Sequence, residues 1–237
     1  MKKALLYFFL ILTTLNAQGL FKKFETKIIS IDGNTAVIEN SDDITIGSTG
    51  IILHKFDKDT STIVAGADVI SKDKNKAVIK FRVYDMLEQK ALPIPAIAPK
   101  VGDKVILNYL YDRALIVAPN YKVYKNVTDH FKNITWIHSD LMGAYLAKEY
   151  KPNPNKKTFH TMCKQNATSL IFFALSGNGY FVDCNNFKVL KEYKSSRVRR
   201  AQLPFYTRVR GIETTWLSFD SSEMHSYSRY YREMLGL

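Results

Sequence analysis

Near Leu110 the hydrophobic rhythm of this 237-residue chain changes from short strand-like runs to strands alternating with helices, and few architectures hold both. Upstream, Lys27–Ile31, Thr35–Glu39 and Ile51–Lys55 are short and rich in β-branched residues, with Asp32-Gly33-Asn34 as a hairpin signal between the first two. From Ala77 to Tyr84, Ile79, Phe81 and Val83 alternate with Lys80, Arg82 and Tyr84, the pattern of a strand with one buried face. Gly47, Gly50 and Gly102-Asp103 read as tight corners of a small barrel or sandwich. The prolines between Leu92 and Pro99 exclude helix there and favour an extended connector.

Downstream, Ala114–Ala118 is a continuous apolar strand ended by Pro119, Tyr121–Phe131 suits a helix, and Ile134–Ile137 reads as a second buried strand. Ser139 and Asp140 are cap candidates for a helix over Leu141–Tyr150. Pro152 and Pro154 stop that helix, Lys157–Gln165 forms another, and Leu170–Leu175 returns to strand. Ser176-Gly177-Asn178-Gly179 turns the chain into Tyr180–Asp183, so one edge of this sheet is antiparallel. A terminal helix is predicted over Ser221–Leu235. The expected fold is α+β: a β-rich barrel or sandwich over residues 18–110, then an α/β domain over 111–237 with a mixed sheet and a C-terminal helix.

Residues 1–17 have the form of a secretory signal peptide: Lys2 and Lys3, then the apolar run Ala4–Leu15, then the small Ala17 before Gln18. That run is shorter than the roughly 20 residues a spanning helix needs. Cleavage near Ala17 is expected, leaving a periplasmic protein with no stable membrane insertion; secretion or the outer surface is the alternative. Loss of the two lysines lowers the formal charge from +12 to +10, which favours anionic partners, and export argues against nucleic acid. In an oxidising compartment Cys163 and Cys184 are a candidate disulfide, worth about 3 kcal/mol for a loop of this length.

Candidate chemistry is sparse. His160, three residues before Cys163, offers a base on the same helical face, but no cysteine-protease signature surrounds the pair and a disulfide would consume the thiol. Asp129-His130 and His138-Ser139-Asp140 carry hydrolase or metal-site residue types without a motif's spacing, and neither Gly-x-Ser-x-Gly nor His-Glu-x-x-His occurs. No catalytic residue, metal site or cofactor is expected. Between Lys188 and Arg210 a run of lysines and arginines faces one acid, Glu192. This reads either as a solvated surface or as a face for an acidic partner. Arg197, Arg199, Arg208 and Arg210, with Tyr227, Tyr230 and Tyr231 of the terminal helix, are the candidate partner contacts; Trp216, Phe219 and Met234 extend the same stripe.

Ala114-Leu-Ile-Val-Ala-Pro119, Ile137-His-Ser-Asp-Leu-Met142, Pro154-Asn-Lys-Lys-Thr-Phe159 and Gly179-Tyr-Phe-Val-Asp183 together resemble the PgbA N-terminal family, from plasminogen-binding proteins of the Helicobacter and Campylobacter group. Plasminogen binding in that family is attributed to lysine-rich tails and a terminal lysine, whereas this sequence ends Met234-Leu-Gly-Leu237. The resemblance therefore implies the family's domain without that activity. The expected function is a non-enzymatic periplasmic scaffold, with other periplasmic proteins such as flagellar-motor disk or cage components as partners. A surface-exposed or secreted plasminogen binder is the alternative.

Overall fold

The computed structural model describes residues 20–86, 97–213 and 224–237. The signal-like segment 1–17, residues 92–96 of the proline-rich connector, Trp216, Phe219 and residues 221–223 of the expected terminal helix lie outside the described residues, while Met224, His225 and Ser226, expected in that helix, precede its start at Tyr227.

Seven strands form the first sheet: β1 (Phe24–Lys27), β2 (Ser30–Asp32), β3 (Thr35–Glu39), β4 (Thr49–Lys55), β5 (Ser61–Lys72), β6 (Lys76–Arg82) and β7 (Lys104–Leu107). Their spatial order is β1-β7-β4-β5-β6-β3-β2, and neighbouring strands are antiparallel. The two edge strands, β1 and β2, are consecutive in the chain and separated only by Ile28 and Ile29. A flat sheet could not satisfy that connection, so this one curls until its edges meet. The hydrogen bonds record the crossing: Ile28 N–H donates to the Asp103 carbonyl beside β7, and Ile29 N–H donates to Val37 of β3. Bulges at Ile52/Leu53 and Val69/Ser71 help bend the strands. The concave side buries Ile38, Ile52, Ala67, Val69, Ile79 and Leu107.

Three expectations change here. The run Lys27–Ile31 is a crossover between two strands, because Ile28 packs in the core where the chain changes partner. Gly50 lies inside β4: a Cβ there would sit 2.1 Å from the Ile106 carbonyl oxygen, so only glycine allows β7 to approach so closely. The strand from Lys76 ends at Arg82, leaving Val83 82% exposed instead of on the buried face.

The second sheet contains β8 (Arg113–Val117), β9 (Thr135–Ile137), β10 (Leu170–Ala174), β11 (Asn178–Asp183) and β12 (Val189–Lys194), in the order β12-β11-β10-β8-β9. β8 is parallel to β9 and β10, while β11 is antiparallel to both of its neighbours, giving the expected mixed sheet. Helices α1 (Tyr121–His130), α2 (Ser139–Lys148), α3 (Lys156–Gln165) and α4 (Tyr227–Leu235) cover it. Every residue of β10 is buried, as a strand packed on both faces requires. Ile171 and Phe173 join residues of α2, α3 and α4 in one core, while Leu170, Phe172 and Ala174 pack towards α1 on the other face.

Helix starts follow local chemistry. Asn120 accepts from Val123 N–H at the start of α1, and Asn155 with Thr158 forms a reciprocal cap on α3. At α2 the cap is His138, whose Nδ1 accepts from Asp140 N–H at 3.1 Å, displacing the expected Ser139 and Asp140. Ser139 is buried in the first turn, and Asp140 serves a different purpose described below.

Candidate functional site

In sheets with parallel strands, ligands usually bind in the crevice beyond the strands' carboxyl ends. Here that edge of β8, β9 and β10 is crossed by the protein's own residues 200–208. Tyr206 N–H donates to the Ala118 carbonyl and Gln202 N–H to the Pro119 carbonyl, each at 2.7 Å. Asn120 Nδ2 donates to the Arg200 carbonyl at 2.9 Å. Phe205 is completely buried among residues of α2, α3 and α4, a burial worth about 2–3 kcal/mol. At the far end Asp140 accepts from Thr207 Oγ1 at 2.9 Å, from Arg208 N–H at 2.8 Å and from Arg208 Nε at 2.6 Å. Burial pushes the Asp140 carboxyl up, but the Arg208 backbone N–H and guanidinium, the Thr207 hydroxyl and His138 together hold it below the usual aspartate range. Gly143 of α2 completes the anchor, since a Cβ there would lie 2.5 Å from Thr207 Oγ1.

The predicted contact residues separate into two groups. Arg197, Arg199 and Arg210 are exposed, as is neighbouring Arg200. Arg208 is exposed too, but its guanidinium is committed to Asp140. Tyr227 and Tyr231 are 4% and 0% exposed, which removes them from any outer stripe. Four residues apart, they point from one face of α4 into the core. The Tyr227 hydroxyl lies 2.9 Å from the Val117 carbonyl and 3.0 Å from that of Ala174, and the Tyr231 hydroxyl donates to Pro204 at 2.9 Å. Burial holds both phenols well above their ordinary range. Tyr230 is half-buried, with its hydroxyl on the Pro154 carbonyl. The structure thus leaves the arginines as the outward-facing part of the predicted surface.

Cys163 and Cys184 form a disulfide, with Cα atoms 6.5 Å apart. The thiol that His160 could activate is therefore absent; its ring instead meets Asp85 Oδ2 at 3.0 Å and the Cys184 carbonyl at 3.3 Å. Nor do the other histidine and aspartate candidates converge. Asp129 pairs with Lys125 on α1, the His130 ring packs against Phe131, and His138 caps α2. Among the described residues no cluster of three or more His, Cys, Asp or Glu side chains could hold a metal ion.

One polar centre escapes the sequence reading. Asp183, wholly buried at the end of β11, accepts from Thr49 Oγ1 and the Tyr111 hydroxyl at 2.6 Å each. It also accepts from Asn185 N–H at 2.7 Å and Asn186 N–H at 3.1 Å. Since Thr49 opens β4 and Tyr111 precedes β8, this carboxylate ties the two sheets together. Desolvation raises its pKa, against the hydrogen bonds from Thr49, Tyr111 and the two backbone N–H groups. With its acceptor sites filled from within the chain, it is a structural junction. The only local hint is the Asp-Cys-Asn-Asn run after an apolar strand, which suggests a turn and nothing more.

Comparison with known proteins bears on the same residues. A family model described as "Plasminogen-binding protein pgbA N-terminal" matches residues 23–235. Two curated relatives, each named "Plasminogen-binding protein PgbA", come from Helicobacter pylori strains ATCC 700392 / 26695 and J99 / ATCC 700824. Each is 25% identical over 193 residues, which span 80% of this chain and 42% of the relative. The chain thus covers less than half the length of these relatives.

Proposed function

This chain belongs to the plasminogen-binding protein pgbA N-terminal family, and from that premise we propose that it acts by binding a protein partner, with plasminogen the first candidate, and without catalysis. The observation that carries the proposal is the family match over residues 23–235. Two structural features support it. Residues 200–208 occupy the carboxyl edge of the parallel strands, where an α/β enzyme would ordinarily seat its substrate. That segment and the residues flanking it display Arg197, Arg199, Arg200 and Arg210 to solvent, a cationic face suited to an acidic surface. A scaffold role around the flagellar motor has no counterpart in the relatives' names, which favour the plasminogen alternative. Meeting plasminogen requires exposure outside the cytoplasm, consistent with the expected export signal. Among the described residues no helix is long and apolar enough to cross a membrane.

The test is direct binding of the purified chain to immobilised plasminogen, with free lysine as competitor and salt as a variable. Saturable binding at micromolar concentration that weakens with salt supports the proposal. Absence of binding at low salt, with the protein shown to be folded, removes plasminogen as the partner.

A further inference from the structure

Five strands at about 4.8 Å spacing make a sheet about 20 Å wide, whereas one helix with its side chains covers about 10–12 Å. Of the four helices only α1 packs on the face formed by Ile116, Phe172 and Phe181, and Leu20 and Phe21 cover a further part of it. The gap is a groove of about 350 Å³ between α1 and β12. Its floor includes Phe131, Phe172 and Ala174, and the Phe172 ring fills the space over Gly179, where a Cβ would lie 2.5 Å from it. Arg197 stands at its rim, and no acidic residue lines it. Arg197 has no ion-pair partner among the described residues. Glu192 and Lys194, two residues apart on β12, pair with Tyr180 and Asn178 of β11 and face the opposite side of the sheet.

We propose that this groove binds a small apolar carboxylate, with its ring or alkyl chain on Phe131 and Phe172 and its carboxylate at Arg197. The volume falls at the lower end of the range of ligand pockets, about 300–1,000 Å³. An aromatic floor takes hydrocarbon, and a planar guanidinium at the lip matches a carboxylate with two parallel hydrogen bonds. Arg197 at the lip selects against a neutral ligand of the same shape, because the neutral molecule forfeits the charge-assisted, two-point bond to the guanidinium. The site is independent of plasminogen and stands or falls separately from the proposal above.

Isothermal titration and NMR shift mapping of the purified chain with 3-phenylpropionate, and with 3-phenylpropionamide as its neutral counterpart, test the proposal. The carboxylate is expected to bind saturably, with shifts centred on α1 and β12, and the amide about tenfold or more weakly. Arg197→Gln should lose a similar factor. Asn126→Trp places bulk at an exposed lip of the groove and should abolish binding without lowering the melting temperature, while Arg210→Gln should change nothing. Equal binding of acid and amide, or unchanged binding in Arg197→Gln, overturns the proposal; the comparison of the two ligands on the unmodified chain decides it even if a variant misfolds. Saturation by acetyl-Asp-Phe-Asp-amide with no response to 3-phenylpropionate also overturns it and assigns the groove to a protein segment.

Discussion

Asp183 shows how a single side chain can be indispensable without being reactive. The Tyr111 hydroxyl accepts Thr49 N–H at 2.8 Å and gives its proton to Asp183. Thr49 Oγ1 is constrained in the same way, accepting from Asn185 Nδ2 at 2.9 Å. Asp183→Asn would aim an NH₂ group at two hydroxyls whose own protons then lose their acceptor, or at two backbone N–H groups if the amide flips. The expected loss is about 2–4 kcal/mol, read as a lower urea midpoint with an unchanged slope. A loss below about 0.5 kcal/mol would show that the junction does not depend on the charge. Asp183 was not legible in the sequence because its side-chain partners Thr49 and Tyr111 are 134 and 72 residues away, beyond any local pattern. Tyr227 and Tyr231 present the opposite difficulty: their spacing is plain, but an aromatic stripe suits a core and an interface equally well. What decides between them is the backbone carbonyl each hydroxyl reaches, and those come from β8, β10 and the segment around Pro204.

Among the elements, those shaped by nearby residues were readable and those shaped by distant ones were not. Apolar continuity marks β8 and β10, and Pro152 and Pro154 separate α2 from α3, because these signals act within a few residues. The break between β1 and β2 is set by β7 and β3 on either side, so Lys27–Ile31 looks continuous until the sheet curls. The disulfide adds a second distant link, from α3 to the end of β11 across a separation of 21 residues. Replacing Cys163 and Cys184 together by alanine should cost about 3 kcal/mol, and reduction of the unmodified protein should lower its melting temperature towards that of the variant. An unchanged melting temperature on complete reduction would contradict this. Asp140 makes the anchoring of residues 200–208 sensitive to acid. Its folded pKa lies below the ordinary 3.8, so its contribution is present above that value and is lost as pH falls through the lowered one. Hydrogen exchange at Arg208 N–H, corrected for intrinsic pH dependence, should accelerate across that interval, and Asp140→Ala should show the same loss of protection at neutral pH. Equal protection in Asp140→Ala would mean that Phe205 alone holds the segment.

At the scale of the whole molecule, one face of the second half carries structural and displayed arginines side by side, and the two kinds are separable by experiment. Arg208 secures the chain to α2, whereas Arg197, Arg199 and Arg210 face solvent. Reversing those three to glutamate would lower the formal charge from +12 to +6, two units at each position. Because they are exposed, the triple variant should melt like the parent; its association with plasminogen should be slower, with a flatter salt dependence, since exposed charges mainly steer encounter. Arg208→Glu should behave differently. It sets a second carboxylate beside Asp140, so the melting temperature should fall, and binding should decline only as far as residues 197–210 lose their order. Substitution of His130 or His138 should leave plasminogen binding near the parent value, because neither belongs to the arginine face. If the triple variant binds plasminogen as fast as the parent at low salt, the arginine face is not the contact, and the net positive charge of the chain serves some other encounter.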